Sequence, residues 1–332
     1  MPDRFYMDLY CIYLKQYEHM QLSSIFLILF STILTNMTAQ DKNLFTSQNG
    51  SFPYEVYHVR LSDSLNIAYM DEGTGKCTLL FLHGLGSNNK AWVKNIEGLK
   101  HDYRCIAIDL PGYGQSDQGD YAFTMAYFAD KVIAFIEKMK LKNVVLVGHS
   151  MGGQIAMHTF LRNSKGIEKL ILFAPAGFET FTAQESQWLQ SVYTAEVIMA
   201  TPEPQIIKNF EINFYQMPSD AQFMIGDRLS MRQSPAYARY CSMIPKCVKG
   251  MLSEPVFDRL PEVNIPTLVF YGENDSLIPN RFLHAGLTTD LVAKNGCEKL
   301  PKCTLHMIPM AGHFVQWEQA VQVNGLIKTF LD

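Results

Sequence analysis

Three residues of this chain have types and settings suited to nucleophilic displacement at a carbonyl. Ser150 lies in Gly148-His149-Ser150-Met151-Gly152, directly after the apolar run Asn143 to Val147 and directly before a helical pattern. A strand that turns sharply into a helix projects the serine oxygen, and glycines two positions either side avoid the collision side chains would make there. A bare Gly-x-Ser-x-Gly arises by chance, and a surface serine in a tight turn is the plain alternative. The strand-turn-helix setting, with Gly153 allowing the helix to pack close to a sheet, favours a nucleophile.

A serine hydroxyl needs a base to become reactive. Among nine histidines, His313 in Met310-Ala311-Gly312-His313-Phe314 follows the last strand pattern and precedes the last helical one. That puts it on a loop at the carboxyl edge of a parallel sheet, where ligands and reacting groups collect. The other histidines fit worse. His158 and His284 fall in helical stretches, His306 within a strand, His58 and His101 before the working edge, and His19 in the leader. The acid that orients the base is expected between serine and histidine in the chain. Gly272-Glu273-Asn274-Asp275 follows the strand Thr267 to Tyr271, and Asp275 is chosen over Glu273, two residues nearer the strand. Its carboxylate would accept the second imidazole N–H and stabilise the imidazolium. Negative charge on the attacked carbonyl needs two backbone N–H donors. Met151, after the nucleophile, and Leu85, in His83-Gly84-Leu85-Gly86, are expected to supply them, with Gly84 and Gly86 admitting close approach. His83, Gly84, Gly86 and His149 are expected to border the substrate. No cofactor is implied, and no CxxC pair or His/Cys cluster suggests a metal.

These groups must be held by a sheet. Val56 to Leu61 and Leu65 to Tyr69 read as an antiparallel pair around Ser62-Asp63. Thr78 to Leu82, Arg104 to Leu110, Asn143 to Val147, Lys169 to Phe173, Thr267 to Tyr271 and Thr304 to Ile308 are apolar without alternation. Such runs are buried on both faces, hence parallel strands covered by helices. Thr124 to Lys140, Met151 to Arg162 and Val315 to Leu331 carry the helical period. The result is an α/β, doubly wound, mostly parallel β-sheet formed by residues 41–177 and 263–332. Residues 178–262 break the rhythm, with large apolar residues such as Phe178, Trp188, Phe210, Phe214 and Met224, and read as an inserted helical cap.

The chain has 332 residues, 48% hydrophobic and 18% charged, so a full core can form. A net charge of −4 with no basic stripe argues against nucleic acid as a partner. Residues 1–40 read as a leader: Ser23 to Thr35 is apolar or small throughout, too short to span a bilayer but suited to a signal peptide, with Thr38-Ala39-Gln40 before the expected cleavage. The long preceding segment, with Arg4 and Lys15 offset by acids, fits less well. The expected destination is the periplasm or exterior, with membrane contact only through an uncleaved leader. Nothing in the sequence fixes an oligomeric state. Cys11 falls in the leader. CSMIPKC (Cys241, Cys247) and CEKLPKC (Cys297, Cys303) suggest local bridges in an oxidising compartment, and Cys77 with Cys105 suggests a third; buried thiols are the alternative.

FLHGLG at 81–86, DLPGYGQSD at 109–117, GHSMGG at 148–153, GENDSLIP at 272–279 and AGHF at 311–314 occur in this order. Together they resemble the α/β-hydrolase superfamily, in its capped branch of serine esterases and lipases such as monoacylglycerol lipases. The resemblance implies that DLPGYGQSD shapes the sheet edge beside the site and that the insertion is a lid. Serine at 150 disfavours the members with Asp or Cys nucleophiles. The expected function is ester hydrolysis through an acyl-enzyme on a small apolar acyl or aromatic ester. Carbon–carbon hydrolases, thioesterases, lactonases and aminopeptidases could use the same machinery, and a non-catalytic binding module on this fold is the remote alternative.

Overall fold

The computed structural model describes residues 53–75 and 77–332. The leader, with Cys11 and the proposed cleavage region, lies outside the described residues.

The chain opens with β1 (Tyr57–Ser62) and β2 (Leu65–Glu72), then β3 (Thr78–Leu82), a 3-10 turn at Asn89–Trp92, α1 (Val93–Leu99) and β4 (Arg104–Ile108). Next come α2 (Met125–Lys138), β5 (Val144–His149), α3 (Met151–Arg162) and β6 (Ile167–Phe173). Five helices follow before the sheet resumes: α4 (Ala183–Val192), α5 (Ala195–Ala200), α6 (Glu203–Glu211), α7 (Gln222–Arg232) and α8 (Ala236–Ser253). The chain ends with β7 (Thr267–Gly272), α9 (Thr289–Lys299), β8 (Cys303–Ile308), α10 (Val315–Glu318) and α11 (Ala320–Leu331). Among the described residues the sheet has eight strands in the order β1-β2-β4-β3-β5-β6-β7-β8. β1 pairs antiparallel with β2, and β2 with β4. All later pairings are parallel. The architecture is the doubly wound α/β sheet expected from the sequence.

Burial explains the central strands. Every residue of β3 and of β5 is buried. Leu79, Leu80, Phe81 and Leu82 are fully so, each contributing on the order of 1.5–3 kcal/mol through removal from water. Leu80 and Leu82 belong to a cluster that takes in Tyr237, Tyr240, Cys241, Met243, Ile244 and Cys247 of α8, so the insertion shares its core with the sheet. Helix starts are capped locally: Thr124 accepts from Tyr127 N–H, and Thr182 with Glu185 forms a capping box. One helix differs from the sequence pattern. Residues 315–331 form two helices because Gln319 leaves helical geometry, with φ −117° and ψ 40°.

Of the three expected cysteine pairs, one is brought together and the other two need correction. Cys297 and Cys303 have their sulfurs 1.93 Å apart, at bonding distance. Cys241 and Cys247 are free thiols. Both lie on α8, where six residues of helix separate Cα atoms by about 9 Å and turn the side chains apart, beyond disulfide reach. Cys77 and Cys105 are also free, because the β3–β4 register sets Cys105 opposite Leu79 rather than Cys77.

Candidate active site

Ser150 is the single residue between β5 and α3, and its backbone has φ 52° and ψ −119°. A left-handed conformation at a residue with a side chain is strained and persists only where the surroundings impose it. The surroundings here are tight. A Cβ on Gly148 would sit 2.4 Å from the Gly152 carbonyl oxygen. One on Gly152 would sit 2.1 Å from the Leu82 carbonyl oxygen, and one on Gly153 2.8 Å from Pro175. The turn is also hydrogen-bonded: Ser150 N–H donates to the Phe173 carbonyl (2.9 Å), and the Ser150 carbonyl accepts from Gly153 and Ala176 N–H. The residue remains half-exposed; the nearby bonds of His313 Nδ1 and His149 Nε2 go to Asp275 and to the His313 carbonyl rather than to its hydroxyl. In ligand-free sites a nucleophile–base hydrogen bond is often long and tightens with substrate.

His313 and Asp275 form a direct pair. His313 Nδ1 lies 2.8 Å from Asp275 Oδ2, with the two residues 4% and 0% exposed. Asp275 Oδ1 accepts from Leu277 N–H (2.8 Å) and Ile278 N–H (3.0 Å). Both carboxylate oxygens are thus occupied, and with Asp275 accepting the Nδ1 proton, Nε2 is left as the acceptor nitrogen of the ring. Glu273 is exposed and makes no such contact. Asn274 N–H donates to the Ala311 carbonyl and Glu273 N–H to Ile308, tying the acid loop to the histidine loop.

The loop after β3 meets Ser150. A Cβ on Gly84 would lie 3.2 Å from Ser150 Cβ and 2.9 Å from His149 Nδ1. His83 is fully buried. Its Nε2 accepts from Leu110 N–H (3.1 Å), so its proton is on Nδ1, which donates to the Gly84 carbonyl (2.9 Å). Ser87 N–H donates to the same carbonyl (3.2 Å). With the Gly84 carbonyl fixed from two sides, the Leu85 N–H of that trans peptide is fixed in the opposite direction. Met151 N–H begins α3, where helix donors lack intrahelical partners. His149 is 2% exposed. Its Nε2 donates to the His313 carbonyl (3.0 Å), and its ring lies 4.8 Å from that of His313 and 4.7 Å from that of Phe314. His83 and His149, expected at the substrate, are buried behind the Gly84 loop and His313 and hold them. Gly84 is buried against the elbow, whereas Gly86 reaches a cavity.

That cavity, about 390 Å³, lies between the sheet edge and the insertion. It meets the site at Leu85, Gly86 and Phe314, the neighbours of Gly84 and His313, rather than at Ser150 itself, and the insertion contributes Phe210, Met224, Arg228 and Tyr240 among others. Two further carboxylates organise these loops. Glu318 accepts from Gly312 N–H (2.7 Å), Tyr215 N–H (3.2 Å) and Gln216 N–H (3.0 Å), linking the histidine loop to the insertion. Burial raises its pKa. Asp109 accepts from Asn89 N–H (2.7 Å) and Gln115 N–H (2.8 Å). Glu318 has no sequence signature, because it acts on backbone N–H groups that any residue supplies, whereas Asp109 opens the DLPGYGQSD motif. Among the described residues no group of three or more His, Cys, Asp or Glu could hold a metal ion.

His83 and Asp109 shift in ways that oppose each other. Burial lowers His83 to about 4 and raises Asp109 to about 6. The unfolded chain protonates His83 near 6.5 and the folded chain only near 4, so its contribution is full above 6.5 and falls by about 3 kcal/mol as pH drops through that window. Asp109 gains its proton first in the folded state, so stability rises by a similar amount, about 3 kcal/mol, as pH falls from about 6 to below 4. In Asp109→Asn only the histidine side of this balance remains. Urea midpoints of the variant should fall more steeply than those of the wild type between pH 6 and pH 4; parallel slopes would show that Asp109 is ionised at its ordinary pKa.

A family model for the alpha/beta hydrolase fold matches residues 78–320, well over half of the 332. The chain belongs to the α/β-hydrolase fold family, and it is an enzyme of hydrolase type. It is similar to a putative non-heme chloroperoxidase of Synechocystis sp., 27% identical over 289 residues covering 84% of this chain and 99% of the relative. It is similar to a 2-hydroxy-6-oxononadienedioate/2-hydroxy-6-oxononatrienedioate hydrolase of Cupriavidus pinatubonensis, 27% identical over 276 residues covering 79% of this chain and 89% of the relative. The esterase of Exiguobacterium antarcticum shares the fold with a TM-score of 0.68 at 21% identity, covering 83% of this chain and 99% of that one.

Proposed function

We propose that the chain is a serine hydrolase that cleaves carboxylic esters through an acyl-enzyme. The observation that carries this reading is the buried Asp275–His313 pair at 2.8 Å in the same sheet-edge site as the strained Ser150 turn. Ser150 Oγ attacks the ester carbonyl carbon as His313 Nε2 takes the hydroxyl proton. The carbonyl oxygen becomes an oxyanion held by the N–H groups of Leu85 and Met151. Collapse of the tetrahedral intermediate breaks the carbonyl–alkoxide bond, and His313 gives its proton to the departing alcohol. Water, deprotonated by the same Nε2, attacks the acyl-enzyme, releasing the acid and restoring Ser150. Asp275 stays ionised and supports the imidazolium throughout.

The wider apolar and aromatic part of the cavity wall supports an apolar acyl or aromatic substrate, with Asn209, Asn213, Asp227 and Arg228 among the polar groups facing it. Hydrolysis of p-nitrophenyl esters from acetate to palmitate tests this directly. A medium-chain optimum in kcat/KM, absent from Ser150→Ala, is expected. A strong preference for acetate would remove the apolar-pocket assignment. Turnover of thioesters, lactones or carbon–carbon substrates in place of these esters would keep the nucleophile and change the bond cleaved.

A further inference from the structure

The other guanidinium groups with ionic partners sit near the surface: Arg104 with Asp71, Arg162 with Asp130, Arg259 with Glu262. Arg228 is different. It projects from α7 into the cavity, its Nε is buried without a partner, and no ion pair joins it to a carboxylate among the described residues. Removing a guanidinium from water without a counter-charge is costly. What holds it is aromatic and backbone: its centre lies 4.0 Å from the Tyr240 ring centroid and 5.3 Å from that of Phe210. Its Nη2 donates to the Gly86 carbonyl at 2.5 Å.

Gly86 is well placed to receive it. Its φ is +70°, and a Cβ there would sit 3.0 Å from the Tyr240 hydroxyl and 3.3 Å from Arg228 Nη2. It lies inside the turn closed by Ser87 N–H on the Gly84 carbonyl, the peptide that carries Leu85 N–H. We propose that Arg228 is a positioning residue: borne on the insertion, it fixes the loop that supplies one oxyanion donor, so that the oxyanion site is complete only while the insertion is seated. This rests on the serine ester hydrolase reading. A charge-assisted hydrogen bond is stronger than a neutral one, and the cation sits on the Gly86 carbonyl, two peptides along from the one that carries Leu85 N–H, where it adds positive potential toward the developing negative charge.

The test compares wild type with Arg228→Met, Arg228→Lys and Lys246→Met on a neutral p-nitrophenyl ester, on an ester of equal length ending in a carboxylate, and with a trifluoromethyl ketone as tetrahedral mimic. Lys246→Met removes an exposed tie between α8 and Asp120, away from the cavity and from Gly86. Arg228→Met should lower kcat about 10- to 100-fold with KM within about threefold, and weaken the ketone by the same factor as kcat/KM. Arg228→Lys should recover part of the loss, and Lys246→Met should change kcat by less than about threefold. Should Arg228→Met fail to fold, the Arg228→Lys deficit in kcat and ketone affinity decides. The proposal is overturned by unchanged kcat, by a loss confined to KM, by an equal loss in Lys246→Met, or by a loss confined to the carboxylate-ended ester, which would make Arg228 a substrate anchor. A wild type that turns over no ester and is not labelled by a fluorophosphonate defeats the ester hydrolase reading itself, an outcome distinct from an active wild type indifferent to Arg228.

Discussion

Asp275→Asn is expected to lower kcat by about 10⁴-fold with little change in KM. The reason is a count of acceptors. Asp275 offers Oδ2 to His313 and Oδ1 to the N–H groups of Leu277 and Ile278. Asparagine has one acceptor oxygen and one NH2 group. With the oxygen kept on the two backbone donors, the amide NH2 faces Nδ1 and forces the proton onto Nε2, which removes the base. With the amide flipped, buried backbone N–H groups lose their acceptor, at about 1–3 kcal/mol. Loss of activity in a stably folded protein, or lesser loss with a lower urea midpoint, follows from these two arrangements. A variant with kcat within tenfold of wild type and an unchanged midpoint would contradict both, and would return Glu273 to consideration.

The second large effect concerns stability. Gly152→Ala should destabilise the fold by about 3 kcal/mol or more. The added Cβ would lie 2.1 Å from the Leu82 carbonyl oxygen and 2.6 Å from that of His83. Both are backbone atoms of the strand end that leads into the oxyanion loop, so neither can swing aside as a flexible side chain would. α3 must move off the sheet, carrying Ser150 with it. Gly226 supplies the contrast: it lies in α7, and a Cβ there meets nothing within 4 Å. Gly226→Ala should therefore stabilise by about 0.5–1 kcal/mol through helix propensity alone. Chemical denaturation of the two variants reads both; equal midpoints would mean that α3 does not sit as closely on β3 as described.

The sheet was legible because burial on two faces leaves a mark that a half-buried surface does not. Thr78 to Leu82 and Val144 to His149 are apolar at nearly every position, and helices must cover both sides. The elbow was legible for a steric reason that the glycine contacts make concrete. The choice of Asp275 over Glu273 was harder, since both lie on one irregular loop and only the Nδ1 contact separates them. Other features left no local trace. CSMIPKC contains Pro245 and reads as a loop, yet Tyr237, Tyr240, Cys241, Ile244 and Val248 are buried at three- and four-residue steps along α8. Packing of that face outweighs the proline. His83 and His149 were assigned to the substrate from their place in motifs, whereas their burial and tautomers are set by Leu110, Gly84 and His313. Glu318 and Arg228 bind main-chain groups from distant segments, and such partners are invisible until the chain has folded.

These partners also bear on the insertion, expected as a lid. Asn213, Tyr215 and Gln216 bond to the histidine loop and Glu318, and Phe214 stacks on Phe314 at 5.1 Å. The insertion is part of the frame that holds the loop of His313. The most direct measurement is labelling of the full chain with a fluorophosphonate, followed by intact mass and peptide mapping, beside residual ester turnover. One adduct per chain on Ser150, with turnover lost in proportion and no adduct in Ser150→Ala, is the expected result. Ester turnover that survives without an adduct, or an adduct on another residue that abolishes it, would contradict Ser150 as the nucleophile.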